Sequence, residues 1–176
     1  MAMKLQPASI DDEIMVNAAD WQILANALRE LHRTLLECAR RDYERRHLVT
    51  LAPGELLHFL VTSSDFEWLR SLSALMVEVD IVQDSAPHHK EEIAPAVRVA
   101  VEHLVSKTRD PLSMFAQHYW TYVHDDLRVA MAHAGVMHAI ANWPPPLRED
   151  AASLLHERHR LSEKARQLSQ RHQDTH

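Results

Sequence analysis

Glycine is scarce in this chain of 176 residues, which contains only Gly54 and Gly135. Tight β-hairpins need positive backbone φ angles, which glycine adopts most readily, so a turn-rich β fold is excluded. The dinucleotide-binding pattern Gly-x-Gly-x-x-Gly needs three glycines, and neither a phosphate loop nor a Gly-x-Ser-x-Gly motif occurs. The sequence therefore excludes the enzyme classes that depend on these loops.

Cysteine is nearly absent too: Cys38 is the single one, so no intrachain disulfide can form. This composition fits a reducing cytoplasm. No apolar run reaches the length of a membrane span, and the first 15 residues contain no apolar core of signal-peptide length. We therefore expect a soluble cytoplasmic protein without a membrane partner.

Positive charge is in deficit, since the formal net charge is −6 at pH 7. A general nucleic-acid binder needs local cations for the phosphates, so this balance disfavours that class. Histidine is abundant, with 14 residues. Because the ordinary pKa of histidine is near 6.5, mild acid would reverse the sign of the net charge. We expect solubility or self-association to change between about pH 7 and 5.5.

Helical periodicity dominates the chain and predicts an all-α fold. The clearest helix runs from about Ala18 to Arg46, and Asp20 is expected to cap it or to lie in its first turn. Its apolar positions follow steps of three and four, which predicts a seam that faces a partner helix. The seam consists of Trp21, Leu24, Leu28, Leu31, Leu35 and Cys38. A thiol on this seam is expected to be buried and inert.

The remaining pattern predicts a single-domain bundle of about six to seven helices. Residues 1–17 form an N-terminal arm, 18–146 the bundle core, and 147–176 a charged C-terminal helix that packs on the bundle or on a partner. The Asp84–Glu92 stretch is predicted to be a polar loop. A short helix is predicted from Pro53, and another from a Ser64–Glu67 capping box to about Val82. A third is predicted over Ala94–Lys107 with Pro95 near its start, and a last one over Leu147–His172. Between these two, a helix with Asp110 as cap and Pro111 as first residue either continues or breaks at Asp125 or Asp126.

Four histidines lie close together in the stretch from His118 to Ala139. None of them are three or four residues apart, which is the spacing of helical metal-ligand pairs. This stretch cannot build a metal site alone, although it could donate one ligand to a site that several helices share. The histidines are His118, His124, His133 and His138.

The pattern Glu-x-x-His, which di-iron helical bundles use twice, also occurs twice, as Glu44/His47 and Glu55/His58. About one instance is expected by chance. The first pair lies at a helix end and the second opens a short helix, whereas a di-iron site needs both pairs inside long core helices. A helical metalloprotein or metalloenzyme with histidine and carboxylate ligands stays an alternative, while no cofactor and no catalytic residue is predicted.

A basic cluster, Arg40–Arg46, contains four arginines and Tyr43. Arginines grip phosphate and tyrosine stacks on bases, so a nucleic-acid binder is a second alternative. Asp42 and Glu44 interrupt the cluster, and cations are favourable at a helix C-terminus in any case.

The block from Tyr43 to Asp80 resembles a group of uncharacterised bacterial all-helical proteins. The shared motifs are Tyr-Glu-Arg at 43–45, Pro-Gly-Glu-Leu-Leu at 53–57, Phe-x-Trp-Leu-Arg-x-Leu-Ser at 66–73, and an acidic residue at Asp80. This chain departs from the pattern at Leu48, where a glycine is expected, and at Ser71, where a proline is expected. The resemblance covers under a quarter of the chain, implies a bacterial helical protein and brings no activity.

This block also holds the candidate partner-binding residues, which are Tyr43, Arg45, Trp68 and Arg70. On an α-helix Trp68 and Arg70 point about 160° apart, so one is expected in the core and the other at a partner or a carboxylate. Together with the seam of the first helix and the thin apolar stripe of the last, these residues favour a non-enzymatic interaction or regulatory protein. We expect it to be a homodimer or to bind a protein partner.

Overall fold

The computed structural model describes residues 16–106 and 111–145, and within this part the chain is all-α, as predicted. It contains six α-helices and one 3-10 helix, and these described residues form no strand. The elements are α1 (Ala18–His47), α2 (Pro53–Thr62), the 3-10 helix (Ser64–Leu69), α3 (Arg70–Gln83), α4 (Pro87–Val105), α5 (Met114–Asp125) and α6 (Leu127–Ile140).

Helix α1 is the centre of the bundle. Its N-cap is Asn17, whose side chain accepts hydrogen bonds from the backbone N–H groups of Ala19 and Asp20. The Asp20 carboxylate accepts from the Asn17 backbone N–H at 2.9 Å, which completes a capping box and confirms its place in the first turn. Every residue of the predicted seam is buried.

The partners of this seam are helices of the same chain, because α1 packs most extensively against α6 and next against α3. The sequence prediction that the seam faces a helix is therefore confirmed. The seam is not available to a second copy, however, so it no longer supports self-association.

The end of α1 has an unusual backbone. Leu48 follows the last helical residue with φ 55° and ψ 40°, and no other non-glycine residue in the described part of the chain has a positive φ. In this left-handed conformation the N–H of Leu48 still donates to the carbonyl of Glu44. A side chain with a Cβ is disfavoured here, which is why glycine is common at this position.

The helix that was predicted from Ser64 to Val82 is two elements, because its first six residues form the 3-10 helix. The predicted capping box at Ser64 and Glu67 is wrong. The cap is Ser63, whose hydroxyl accepts from the Asp65 backbone N–H at 3.2 Å, while Glu67 pairs with Arg70 at 3.0 Å.

The prediction of a polar loop over Asp84–Glu92 holds for Asp84–Ala86 and is wrong beyond them, because α4 begins at Pro87. Proline suits the first turn of a helix, where its missing N–H costs nothing. His89 and Ile93 lie one turn apart and are both buried, so tertiary packing extends the helix through the polar residues. Pro95 consequently lies inside α4 and not near its start.

Helix α5 begins at Met114, so Pro111 is not the first helical residue as predicted. Its cap is Ser113, whose hydroxyl accepts from the Ala116 backbone N–H at 3.1 Å. The chain then breaks at Asp126, which caps α6 by accepting from the Arg128 backbone N–H at 2.9 Å. The sequence left open whether the helix continues or breaks at the paired aspartates, and the structure shows that it breaks. The predicted cap Asp110 lies outside the described residues.

After α6 the chain turns back onto the bundle. Trp143 is buried against Trp21, with ring centroids 4.7 Å apart, and its carbonyl accepts a hydrogen bond from Arg98. The predicted C-terminal helix and nearly all of the predicted N-terminal arm lie outside the described residues. None of the helices in the described ranges combines the length and apolar character that a membrane span requires.

Candidate protein-interaction surface

Three elements meet at one end of the bundle, and Tyr43 joins them. Its ring lies 5.3 Å from that of Phe59 on α2 and 5.7 Å from that of Phe66 on the 3-10 helix. It also lies against the ring of His47 in a tilted arrangement, with ring centroids 4.3 Å apart. Tyr43, a predicted partner-binding residue, is therefore half-buried and holds α2 against α1.

The other predicted partner-binding residues divide as their spacing suggested. Trp68 is buried, with its ring stacked on His118 at 5.1 Å. Arg70 is exposed, and it donates to the Glu67 carboxylate and to the Val61 carbonyl at the end of α2, at 3.0 and 3.2 Å. Both therefore have structural contacts.

Arg45, the fourth predicted partner-binding residue, is the most exposed of the ion-paired arginines on α1, although it also pairs with Asp42 at 2.6 Å. Asp42 in turn accepts from the hydroxyl of Tyr122 at 2.7 Å. Burial and this neighbouring carboxylate raise the pKa of Tyr122, so its hydroxyl stays protonated and donates. The arginine is thus held beside a fixed carboxylate at the edge of the bundle.

A cleft of about 660 Å³ opens beside Trp68, between the 3-10 helix, α3, α4 and α5. Trp68 and Arg70 both line it, although residues two apart on an α-helix point about 160° from each other. Its floor is apolar and includes Leu75 and Phe115, while His103 lies among its polar lining residues. No charged side chain in this lining is buried.

The candidate metal ligands do not come together. Glu44 accepts from the Leu51 backbone N–H at 2.9 Å, and Glu55 accepts from the Ala52 backbone N–H at 2.8 Å. Both carboxylates thus stabilise the chain around α2, while the imidazoles of His47 and His58 lie against aromatic rings. Residues 16–106 and 111–145 contain no group of three or more histidine, cysteine, aspartate or glutamate residues that could hold a metal ion.

The four arginines of the basic cluster each face a carboxylate. Two of these partners lie far away in sequence, because Arg41 pairs with Asp126 at 2.8 Å and Arg46 with Asp65 at 2.9 Å. The other two are local, since Arg40 lies 3.6 Å from Glu44 and Arg45 pairs with Asp42. A phosphate would have to compete with these carboxylates, and the sequence alone could not reveal the two distant pairs.

A polar junction of α1 and α6 is centred on Asp126. Its carboxylate accepts from Arg41 and Arg128, which hold the pKa of Asp126 well below its usual range. The thiol of Cys38 lies 3.4 Å from the same carboxylate. Burial is the main reason that the pKa of Cys38 is raised, so the thiol stays protonated, as its place on the seam predicted.

Segment 48–61 exposes four large apolar side chains within 14 residues. Leu57 is 66% exposed, Val61 is 69% exposed, Leu48 is 92% exposed and Val49 is also exposed. We call these four residues the α2 surface. Leu57 and Val61 lie four residues apart, on one face of α2, and no residue of this helix is buried. The sequence predicted a short helix from Pro53 but did not show that apolar residues of this helix face outward.

Comparisons with protein-family models, with curated proteins and with solved structures found no match to this chain. The geometry of the described residues is therefore the basis for inferring a function.

Proposed function

We propose that this protein is a non-enzymatic helical interaction protein that self-associates through the α2 surface. The observation that supports the proposal is a helix with apolar residues around most of its circumference and no buried residue. Leu56, Phe59 and Leu60 pack partly against the core, and Leu57 and Val61 remain outward. A helix on the surface of a bundle normally turns a charged or polar face to solvent, whereas α2 turns Leu57 and Val61 outward.

The sequence of this helix carries few side chains that would stabilise its exposure to water. From Leu56 to Ser64 the chain contains no aspartate, glutamate, lysine or arginine. Exposed apolar patches of this kind mark interaction sites on soluble proteins. A second copy is a suitable partner, because a symmetric dimer brings the same patch from both chains together.

Leu48 adds to this case. Its backbone conformation favours glycine, and its side chain makes almost no contact with its own chain. A leucine in this position therefore weakens the monomer without packing in it. A contact with a second copy would bury the Leu48 side chain and so offset this cost. The proposal places the protein in a bacterial cytoplasm, in line with the single cysteine and the resemblance of its central block.

The test compares two exposed valines in different helices. Val61→Asn removes an apolar group from the α2 surface, and Val77→Asn makes the same change on α3, where Val77 is 52% exposed. Burial of one valine contributes about 1.5 kcal/mol, and a symmetric dimer loses it twice, so we expect Val61→Asn to raise the dimer Kd about 100-fold. Sedimentation equilibrium over a wide concentration range measures this Kd.

The control decides where the copies meet. Val77→Asn should leave the dimer Kd unchanged, and Leu57→Gln should weaken the dimer as Val61→Asn does. A wild-type protein that is monomeric at every concentration would refute self-association. Equal weakening by Val61→Asn and Val77→Asn would refute the α2 surface as its site.

A further inference from the structure

The outer face of α6 is the second apolar surface of the bundle, and it is separate from the α2 surface. The inner face of α6 carries Val129, Ala132, Val136 and Ile140, all buried. Its outer face is exposed, with Leu127 76% exposed and Met131 66% exposed. Four exposed residues in steps of four, three and four define what we call the α6 stripe: Leu127, Met131, Ala134 and His138.

The α6 stripe has the character of a helix-packing surface. Residues 129–142 contain no aspartate, glutamate, lysine or arginine, although a solvated helix face is normally charged or polar. Steps of four and three are the spacing of a seam between two packed helices. Gly135 lies next to the stripe, and a Cβ placed there would meet no atom within 4 Å, so the surface is open to close approach.

The chain that follows α6 carries a matching pattern. Ile140 is the last residue of α6, and Pro144 begins a run of three prolines that no helix can continue. Beyond the prolines, apolar residues follow steps of four and three, with a single arginine in their series. These residues are Leu147, Ala151, Leu154, Arg158, Leu161, Ala165 and Leu168.

We propose that the C-terminal segment, residues 147–168, docks on the α6 stripe as an antiparallel helix. The connection is residues 141–146, which is within the usual length of roughly two to eight residues between antiparallel helices. Reversal of the chain at this connection sets the register of the pairs. The facing pairs are His138 with Ala151, Ala134 with Leu154, Met131 with Arg158, and Leu127 with Leu161.

This register has the size and charge pattern of a packed seam. Leu154 faces the small residue Ala134, and Leu161 faces Leu127, so each leucine meets an apolar neighbour. The methylene groups of Arg158 can cover Met131 while its guanidinium reaches water. The two series also match in length, because 127–138 and 151–161 each span about three helical turns.

Disulfide trapping in the full chain tests the register. The in-register variant combines Ala134→Cys with Leu154→Cys, and the off-register control combines Ala134→Cys with Leu161→Cys, which lies about 10 Å farther along a helix. Oxidised glutathione takes the electrons and protons of both thiols and is reduced to glutathione. The two Leu→Cys single variants and Ala134→Cys alone show whether the buried Cys38 takes part.

We expect the in-register pair to form an intramolecular disulfide at least tenfold faster than the off-register pair, as seen by intact mass and non-reducing electrophoresis. Disulfide-linked dimers would mean that a second copy occupies the α6 stripe and would overturn the proposal. Equal rates for the two pairs, or no disulfide in a chain that circular dichroism shows to be folded, would overturn it too.

A measurement without engineered cysteines gives an independent test. Trypsin cleaves after Arg158 only where that bond is accessible, and docking protects it. Ala134→Glu places a charge in the α6 stripe and should raise the cleavage rate at Arg158 about tenfold, whereas Gln117→Glu, on the exposed side of α5, should leave it unchanged. An unchanged rate in Ala134→Glu would overturn the docking.

Discussion

Replacing Leu48 by glycine should make the protein more stable, although it removes a large apolar side chain. A residue with a Cβ in the left-handed region costs roughly 1–2 kcal/mol, which glycine avoids. Leu48 is 92% exposed, so the substitution removes almost no packing. Glycine also loses more conformational freedom on folding, which lowers the free energy of unfolding by about 0.5–1 kcal/mol. The net expectation is a gain of about 0.5–1 kcal/mol in the free energy of unfolding.

Urea unfolding, followed by far-ultraviolet circular dichroism, measures this gain as a higher midpoint with an unchanged slope. A chain of this size should also melt about 2–4 °C higher for each 1 kcal/mol. The protein concentration must lie below the dimer Kd, because association adds its own stabilisation. In the same variant the dimer should be weaker, since Leu48 belongs to the α2 surface.

Val49→Gly is the matched control for this prediction. Val49 is the next residue, it is also exposed, and its φ is not positive. Glycine there relieves no strain, so the same entropy difference should lower the free energy of unfolding by about 0.5–1 kcal/mol. If Leu48→Gly destabilises the protein as much as Val49→Gly does, the strain at Leu48 contributes nothing and the reasoning is refuted.

Two other predictions concern the interior. Burial lowers the pKa of His133, and the hydroxyl of Tyr119 lies 2.5 Å from its Nδ1. As the pH falls, the unfolded chain protonates His133 before the folded chain does, so the free energy of unfolding should fall from about pH 7 to about pH 5.5. His133→Gln should reduce this pH dependence, which urea titrations at several pH values measure. An unchanged pH dependence would contradict the linkage. Pro95 lies inside α4 and cannot donate the helical N–H bond to the Glu91 carbonyl. Pro95→Ala should therefore raise the free energy of unfolding by about 1–2 kcal/mol and raise the melting temperature with it. A lower melting temperature would show that α4 depends on the proline.

The periodicity of apolar residues predicted the strongest helices well. The seam of α1 could be recognised because six large residues repeat at helical steps over five turns, and no other structure buries them together. The sequence did not decide whether α5 and α6 are one helix, although it marked Asp125 and Asp126 as the caps if the chain breaks there. The start of α4 was not predicted, because His88 to Glu92 are polar and the burial of His89 appears only in the folded structure.

The candidate surface was predicted less well, for reasons of long-range contact. Arg41 looks free in sequence, but its partner Asp126 is 85 residues away, and only the packing of α1 on α6 brings them together. The outward face of α2 depends on which side of that helix meets Tyr43 and the core. At Leu48, where the resemblance of the central block led us to expect a glycine, the backbone has the conformation that glycine favours.

The packing of α1 against α6 has a consequence for the newly made chain. The seam of α1 is completed by a helix that begins about 80 residues after α1 ends. A ribosome that adds roughly 5–20 residues per second needs about 4–16 s to synthesise that interval. During those seconds the side of this 30-residue helix that later meets α6 has no permanent cover, although α3 is already made. The side of α1 that meets α6 is therefore completed later in synthesis than the side that meets α3.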